Sequence, residues 1–198
     1  DLVRQGDLQS LAIHSRSVWQ DDYPDGGDVF MPTFVILGDS GWEMGRVQEI
    51  AQKAAALIRA CGITVRPAGV LEVEANPSLR DFSRSNAKLL AGKVMPGGSR
   101  VFFIRDTLDR PAYDAVTFGT GNSRRNPELR FTVWITALTR DPHIALAHEL
   151  VHVLLDDGAH SALPDNLMRA DTAPGNLLLT PEQCTRMRDS ARKNGLLH

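Results

Sequence analysis

No run in this chain approaches the roughly eighteen consecutive apolar residues that a membrane helix needs, so no membrane span is expected. A charge bias is missing too. The 22 basic and 24 acidic residues leave a formal net charge of -2, which offers no basic field for nucleic acid, and no nucleic-acid partner is expected. Internal repeats and low-complexity stretches are absent, which excludes solenoids and disordered arrays. Cysteine is scarce: only Cys61 and Cys184 are present. A disulfide-framework protein is thereby excluded, and the choice is between one disulfide outside the cytosol and two buried thiols. The opening residues, Asp1 to Ser10, have neither the basic region nor the apolar stretch of a signal peptide. Since the numbering begins at Asp rather than Met, the expected location is secreted or periplasmic, with a signal segment missing from this chain. A cytoplasmic location is also compatible with the sequence.

What is there is ordinary in amount and informative in order. With 198 residues, 42% of them hydrophobic and 23% charged, the chain suits one domain with a real core. Residues 1–30 hold short apolar scraps and an acidic, turn-rich stretch from Asp21 to Asp28 without a sustained period, and read as an N-terminal arm; 31–198 read as the domain. The β-branched run from Pro32 to Leu37, closed by Gly38, predicts a strand covered on both faces. Apolar residues then recur at helical spacing from Trp42 to Ala60, with Gly62 as the stop. Ile63 to Arg66 or Val70 to Val73 supplies the next strand, and a helix is expected around Pro77 to Leu90. Val101 to Ile104 and Leu129 to Ile135 are further strands, Tyr113 to Gly119 an edge strand, and 119–127 a loop. Trp42, Phe131 and Trp134 are expected in the core. Asp141 and Pro142 mark the start of a helix reaching about Asp156, and Thr180-Pro-Glu-Gln183 signals a capping box opening a last helix that stops near Gly195. Strands alternating with helices imply an α/β layer around a mixed sheet.

The chemistry concentrates in one of these helices. His148-Glu149-Leu-Val-His152 is a His-Glu-x-x-His pattern. Residues four apart share a helix face, so both imidazoles can reach one cation at the roughly 2 Å that zinc requires, while Glu149 can approach a zinc-bound water without being a ligand. Chance alone produces this pattern in about one such chain in a hundred, so helical context has to support it. The helix is apolar nearly all round, which implies burial. Two histidines and a carboxylate there would cost several kcal/mol in lost hydration unless paired or metal-bound. The cofactor expected is Zn2+, and a hydrolytic zinc site needs a third protein ligand. His160 is the preferred candidate, brought back by a turn at Gly158; a solvent-facing loop histidine is the bland reading. Asp156, on the face of His152 if the helix persists, is the alternative. Asp157 reads as a carboxylate beside the site.

The segment from His148 to Met168 resembles the active site of metzincin metallopeptidases, whose pattern is His-Glu-x-x-His-x-x-Gly-x-x-His followed by a methionine turn. Here Gly158 lies six rather than three residues beyond His152 and His160 eight rather than six, which suggests a longer helix before the turn. Asn166-Leu167-Met168 stands where the methionine turn belongs, although a buried loop methionine is common without one. The order of elements also resembles the zincin layout: a mixed twisted sheet with backing helices, an active-site helix and a small C-terminal helical subdomain. By that resemblance the strand at Tyr113 to Gly119 borders the cleft and pairs with an extended substrate.

The resemblance implies a metallopeptidase acting on a protein or peptide substrate, with Glu149 as general base. No tyrosine follows Met168, so Tyr23, Tyr113 or solvent would have to stabilise the transition state. Two other functions fit the same residues: a zinc amidohydrolase or toxin domain acting on a non-protein amide, and a non-catalytic binding domain supported by zinc. A further reading lays the arm in the cleft as an inhibitor, with His14 or an aspartate between 21 and 28 on the metal.

Overall fold

Along the chain come β1 (Ala12–Arg16), β2 (Asp28–Phe30), β3 (Thr33–Leu37), α1 (Met44–Arg59), β4 (Ile63–Val65), β5 (Gly69–Glu74), α2 (Arg84–Lys93), β6 (Arg100–Ile104), β7 (Ala115–Phe118), β8 (Thr132–Thr136), α3 (Pro142–Leu155) and α4 (Pro181–Lys193), with short 3-10 turns at Pro77–Leu79 and Pro127–Leu129. The computed structural model describes residues 12–16, 27–94, 97–108, 115–118, 127–171 and 173–198, the stretches 12–16 and 115–118 by their backbone alone.

A six-stranded sheet in the order β1-β5-β3-β6-β8-β7 forms the centre, and β2 pairs with β4 in a separate two-stranded sheet. The four inner strands are parallel, while β1 and β7 run antiparallel at the two edges. Every residue of β3, β6 and β8 is buried, as parallel strands covered on both faces must be. Their side chains alternate between two cores. Phe34, Ile36, Val101, Phe103, Val133 and Ile135 pack with the apolar residues of α1 and α3. Val35, Leu37, Phe102, Ile104 and Trp134 pack on the opposite face with Leu79, Ala87 and Leu90. Phe102 lies flat on Trp134 with ring centroids 4.1 Å apart. The result is the mixed α/β architecture expected, with helices on both faces of the sheet.

Both candidate strands after α1 exist, in different sheets: β4 joins β2, and β5 sits between β1 and β3. The helix expected around Pro77 to Leu90 is a 3-10 turn followed by α2. Asn76 Oδ1 accepts from Ser78 N and Ser83 Oγ from Asn86 N, while Asn86 Nδ2 donates to the carbonyls of Ser78 and Asp81. These local side-chain bonds satisfy backbone groups outside a helix and divide the segment. Trp42, Phe131 and Trp134 are buried as expected.

Within residues 1–30, β1 and β2 are strands that showed no period in the sequence. His14 belongs to β1, at the sheet edge opposite β7. Asp28 pairs with Arg192 of α4 at 2.8 Å. Asp21, Asp22, Tyr23, Asp25, Tyr113 and the loop 119–126 lie outside the described residues. No helix among the described residues is long and apolar enough to cross a membrane.

Cys61, just past α1, is joined to Cys184 in the first turn of α4 by a disulfide spanning 123 residues of sequence. A crosslink closing so long a loop restricts the unfolded chain strongly, and replacing both cysteines by serine is expected to lower stability by about 2–5 kcal/mol. Urea unfolding of the double variant against the parent measures this; an unchanged midpoint would show that the crosslink contributes nothing.

Candidate metal centre

α3 begins where the sequence places it. Asp141 occupies the cap position and Pro142 the first helical position, but the Asp141 side chain makes no capping bond; its carbonyl accepts from Ile144 N and Ala145 N. From Ile144 to Leu154 every residue is buried, including His148, Glu149 and His152. The helix ends at Leu155, and the chain reverses at Asp156 with φ 51°. This corrects two expectations. The wider spacing to His160 comes from a loop and not from a longer helix, and the left-handed residue is Asp156, because aspartate tolerates that conformation better than most. Gly158 adopts no positive φ, and a Cβ added there would meet nothing within 4 Å.

The loop returns His160 to the helix. His148, His152 and His160 each offer a ring nitrogen, and these atoms all lie within 4.8 Å of one another. His152 Nε2 is 3.0 Å from His148 Nε2 and 3.3 Å from His160 Nε2. Ligands at zinc's usual distance in a tetrahedral shell would be separated by roughly 3.3–3.4 Å, so the two separations from His152 are near those of ligands sharing one small cation. Asp156 is not part of the cluster: its carboxylate lies 3.6 Å from Arg130.

The opposite ring nitrogens decide the tautomers. His148 Nδ1 is 2.7 Å from the Leu167 carbonyl, and His152 Nδ1 is 2.7 Å from the Asp157 carbonyl. A carbonyl can only accept, so each Nδ1 carries the hydrogen and each Nε2 presents its lone pair inward. Burial pulls the pKa of His148 down, and burial followed by the neighbouring His148 pulls His152 down to about 4. Near neutral pH both rings are therefore uncharged. Bare lone pairs facing each other at 3.0 Å repel unless a cation lies between them. The donor set and its orientation thus fit a metal, and imidazole is a usual zinc ligand.

Glu149 sits beside this cluster, 8% exposed, with Oε2 buried and without a hydrogen-bond partner among the described residues. Burial alone raises its pKa to about 8. Buried carboxyl oxygens without a partner are uncommon in folded proteins.

Sequence reasoning missed the backbone contacts that the segment around Met168 makes to the histidine cluster. Met168 is 1% exposed and packs in the core shared by α1 and α3. Its neighbour Leu167 supplies the carbonyl that holds His148, and the Met168 carbonyl accepts from Ser161 N at 2.7 Å, next to His160. No residue-type signal announces a backbone carbonyl, which is why the segment suggested only a methionine turn. β7 pairs with β8 through its backbone and runs beside α3.

No family model and no curated protein matches the chain. Among solved structures it is similar to the crystal structure of metalloproteinase-II from Bacteroides fragilis, with a TM-score of 0.64 and 18% sequence identity over 86% of this chain. The match spans 56% of that protein's length. At such identity the likeness shows the fold: this chain has the α/β architecture of a metalloproteinase structure, and in that architecture it carries three histidines able to hold a metal.

Proposed function

We propose that this chain is a zinc-dependent metallopeptidase of metzincin-like type, with His148, His152 and His160 as the metal ligands, Glu149 as general base and Met168 in the methionine turn. The observation that carries the reading is the convergence of three imidazole nitrogens, two of them oriented by Nδ1–H bonds to carbonyls. The likeness to a metalloproteinase structure supports it at the level of fold.

Zinc bound there would polarise a scissile carbonyl and acidify water. The chain's own part falls to Glu149, which takes a proton from the attacking water and delivers it to the leaving amine. Burial favours its protonated form and a neighbouring dication its carboxylate, so both halves of that transfer are within reach near neutral pH. The carbonyls of Leu167 and Asp157 keep His148 and His152 in the ligating tautomer. β7, as the terminal strand of the sheet, offers its backbone to an extended peptide substrate. The disulfide suits a secreted or periplasmic setting.

Metal analysis tests the site. The purified chain is expected to bind about one zinc, as a single three-histidine site requires. Asp156→Ala should keep it and His160→Ala should lose it. A peptide library beside non-protein amides tests the substrate class, and turnover confined to the latter would replace peptidase with amidohydrolase. Absence of zinc after metal addition would remove the reading altogether.

A further inference from the structure

Helix α4 presents two side chains three residues apart on one face, Gln183 and Arg186. Arg186 pairs with Asp157 at 2.9 Å, and both partners are open to solvent. Gln183 is placed differently. Its Nε2 donates to Asn166 Oδ1 at 3.1 Å, while Asn166 Nδ2 donates to Gln183 Oε1 at 2.9 Å. The two amides thus form a closed reciprocal pair. Each keeps one further bond: Asn166 Oδ1 accepts from Met168 N at 3.0 Å, and Gln183 Oε1 accepts from Thr180 N at 2.8 Å, completing the capping box of α4. Asn166 is only 2% exposed.

The turn held by this pair is the one whose carbonyls reach the site. Leu167 O takes the Nδ1 hydrogen of His148, and Met168 O takes the amide hydrogen of Ser161 beside His160. Shifting the turn would move the acceptor that fixes the His148 ring and the anchor of the loop carrying His160. The disulfide from Cys184 fastens the same end of α4 to the chain just past α1. We infer that Asn166 and Gln183 are a positioning pair, which sets the geometry of His148 and His160 through the carbonyls of Leu167 and Met168.

This inference depends on the three histidines being a zinc site, and the test separates the two. Zinc affinity is measured on the full, metal-free chain by competition with a chromophoric chelator, and cobalt(II) substitution reports ligand geometry through its visible absorption. Gln183→Glu is the informative variant: a glutamate still accepts from Thr180 N, so the capping box survives, but its second oxygen meets Asn166 Oδ1 without a hydrogen. Asn166→Asp removes the donor from the other side and leaves the capping box untouched, so it carries the test if the first variant does not fold. Both variants are expected to bind zinc about 10–100-fold more weakly, with a changed cobalt spectrum, a loss larger than any lowering of the metal-free unfolding midpoint accounts for. Arg186→Ala, which breaks only an exposed pair, should change affinity by less than about fivefold. Tight zinc binding by the parent with affinities in both variants within about twofold of it and the parent's cobalt spectrum would overturn the positioning role and leave the zinc site standing. Weaker binding explained wholly by a lower metal-free midpoint would overturn it as well, by assigning the pair to folding. A parent that binds no zinc overturns both.

Discussion

Glu149→Gln is expected to lower peptide hydrolysis by about 10²–10⁴-fold, the range for removing a general acid–base group, while about one zinc per chain stays bound. Glutamine has nearly the shape of glutamate, so α3 and its histidines should be undisturbed. Retained activity would show that another group moves the proton. The same substitution has a second signature. In the metal-free chain burial raises Glu149 from 4.5 to about 8, so the folded state holds a proton that the unfolded state releases between these values. Its contribution to stability is therefore complete below pH 4.5 and is lost as pH rises through about 8. The loss is on the order of a few kcal/mol. His152, lowered from 6.5 to about 4, acts in the opposite direction: its contribution is present above pH 6.5 and is lost as pH falls through about 4. Comparing parent with Glu149→Gln in chelator cancels the histidine effect. The variant should unfold at a higher temperature than the parent at pH 9, and at nearly the same temperature at pH 4. Coincident curves across this range would mean that Glu149 is ionised freely and is not in the buried setting described.

His152→Ala is expected to weaken metal binding by about 10²–10³-fold and, at zinc near 100 times the parent's Kd, to lose the stability that comes with it. Its Nε2 faces both other ring nitrogens, at 3.0 and 3.3 Å, so it is the central member of the cluster. Dividing an apparent zinc-binding energy of about 10–16 kcal/mol among four donors gives roughly 3–4 kcal/mol each, or 10²–10³-fold in affinity. A ligand present at 100 times its Kd stabilises the folded state by about 2.7 kcal/mol. Added zinc should accordingly raise the parent's unfolding temperature and leave that of His152→Ala almost unchanged. Differential scanning fluorimetry with and without zinc distinguishes the two. An equal zinc-induced rise in both proteins would place the metal elsewhere.

Much of this molecule was legible along the chain wherever the signal is local. The unbroken apolar run ending at Leu37 reads as a strand covered twice, and burial of all five residues of β3 agrees. The Thr180-to-Gln183 capping box depends on atoms a few bonds apart, and both of its hydrogen bonds are present. Placing two imidazoles on one face of α3 requires only the helical period. Other features needed the third dimension. β1 was invisible because an edge strand paired by backbone to β5 needs no distinctive side-chain pattern. Asn86 divided the segment after Pro77 through bonds to carbonyls that no period encodes.

The sequence by itself determined the composition of the site: a histidine, a glutamate and a second histidine on one helical face, with another histidine soon after. Tertiary structure decided which groups converge. It turned the chain at Asp156 instead of Gly158, carried His160 to the cluster and drew Asp156 toward Arg130. It also placed the Leu167 and Asp157 carbonyls against the two ring nitrogens. Residue types and helical spacing are local properties that a sequence displays directly, whereas a carbonyl is present at every residue. Only packing of α4 against the turn at Asn166 selects the one that orients His148.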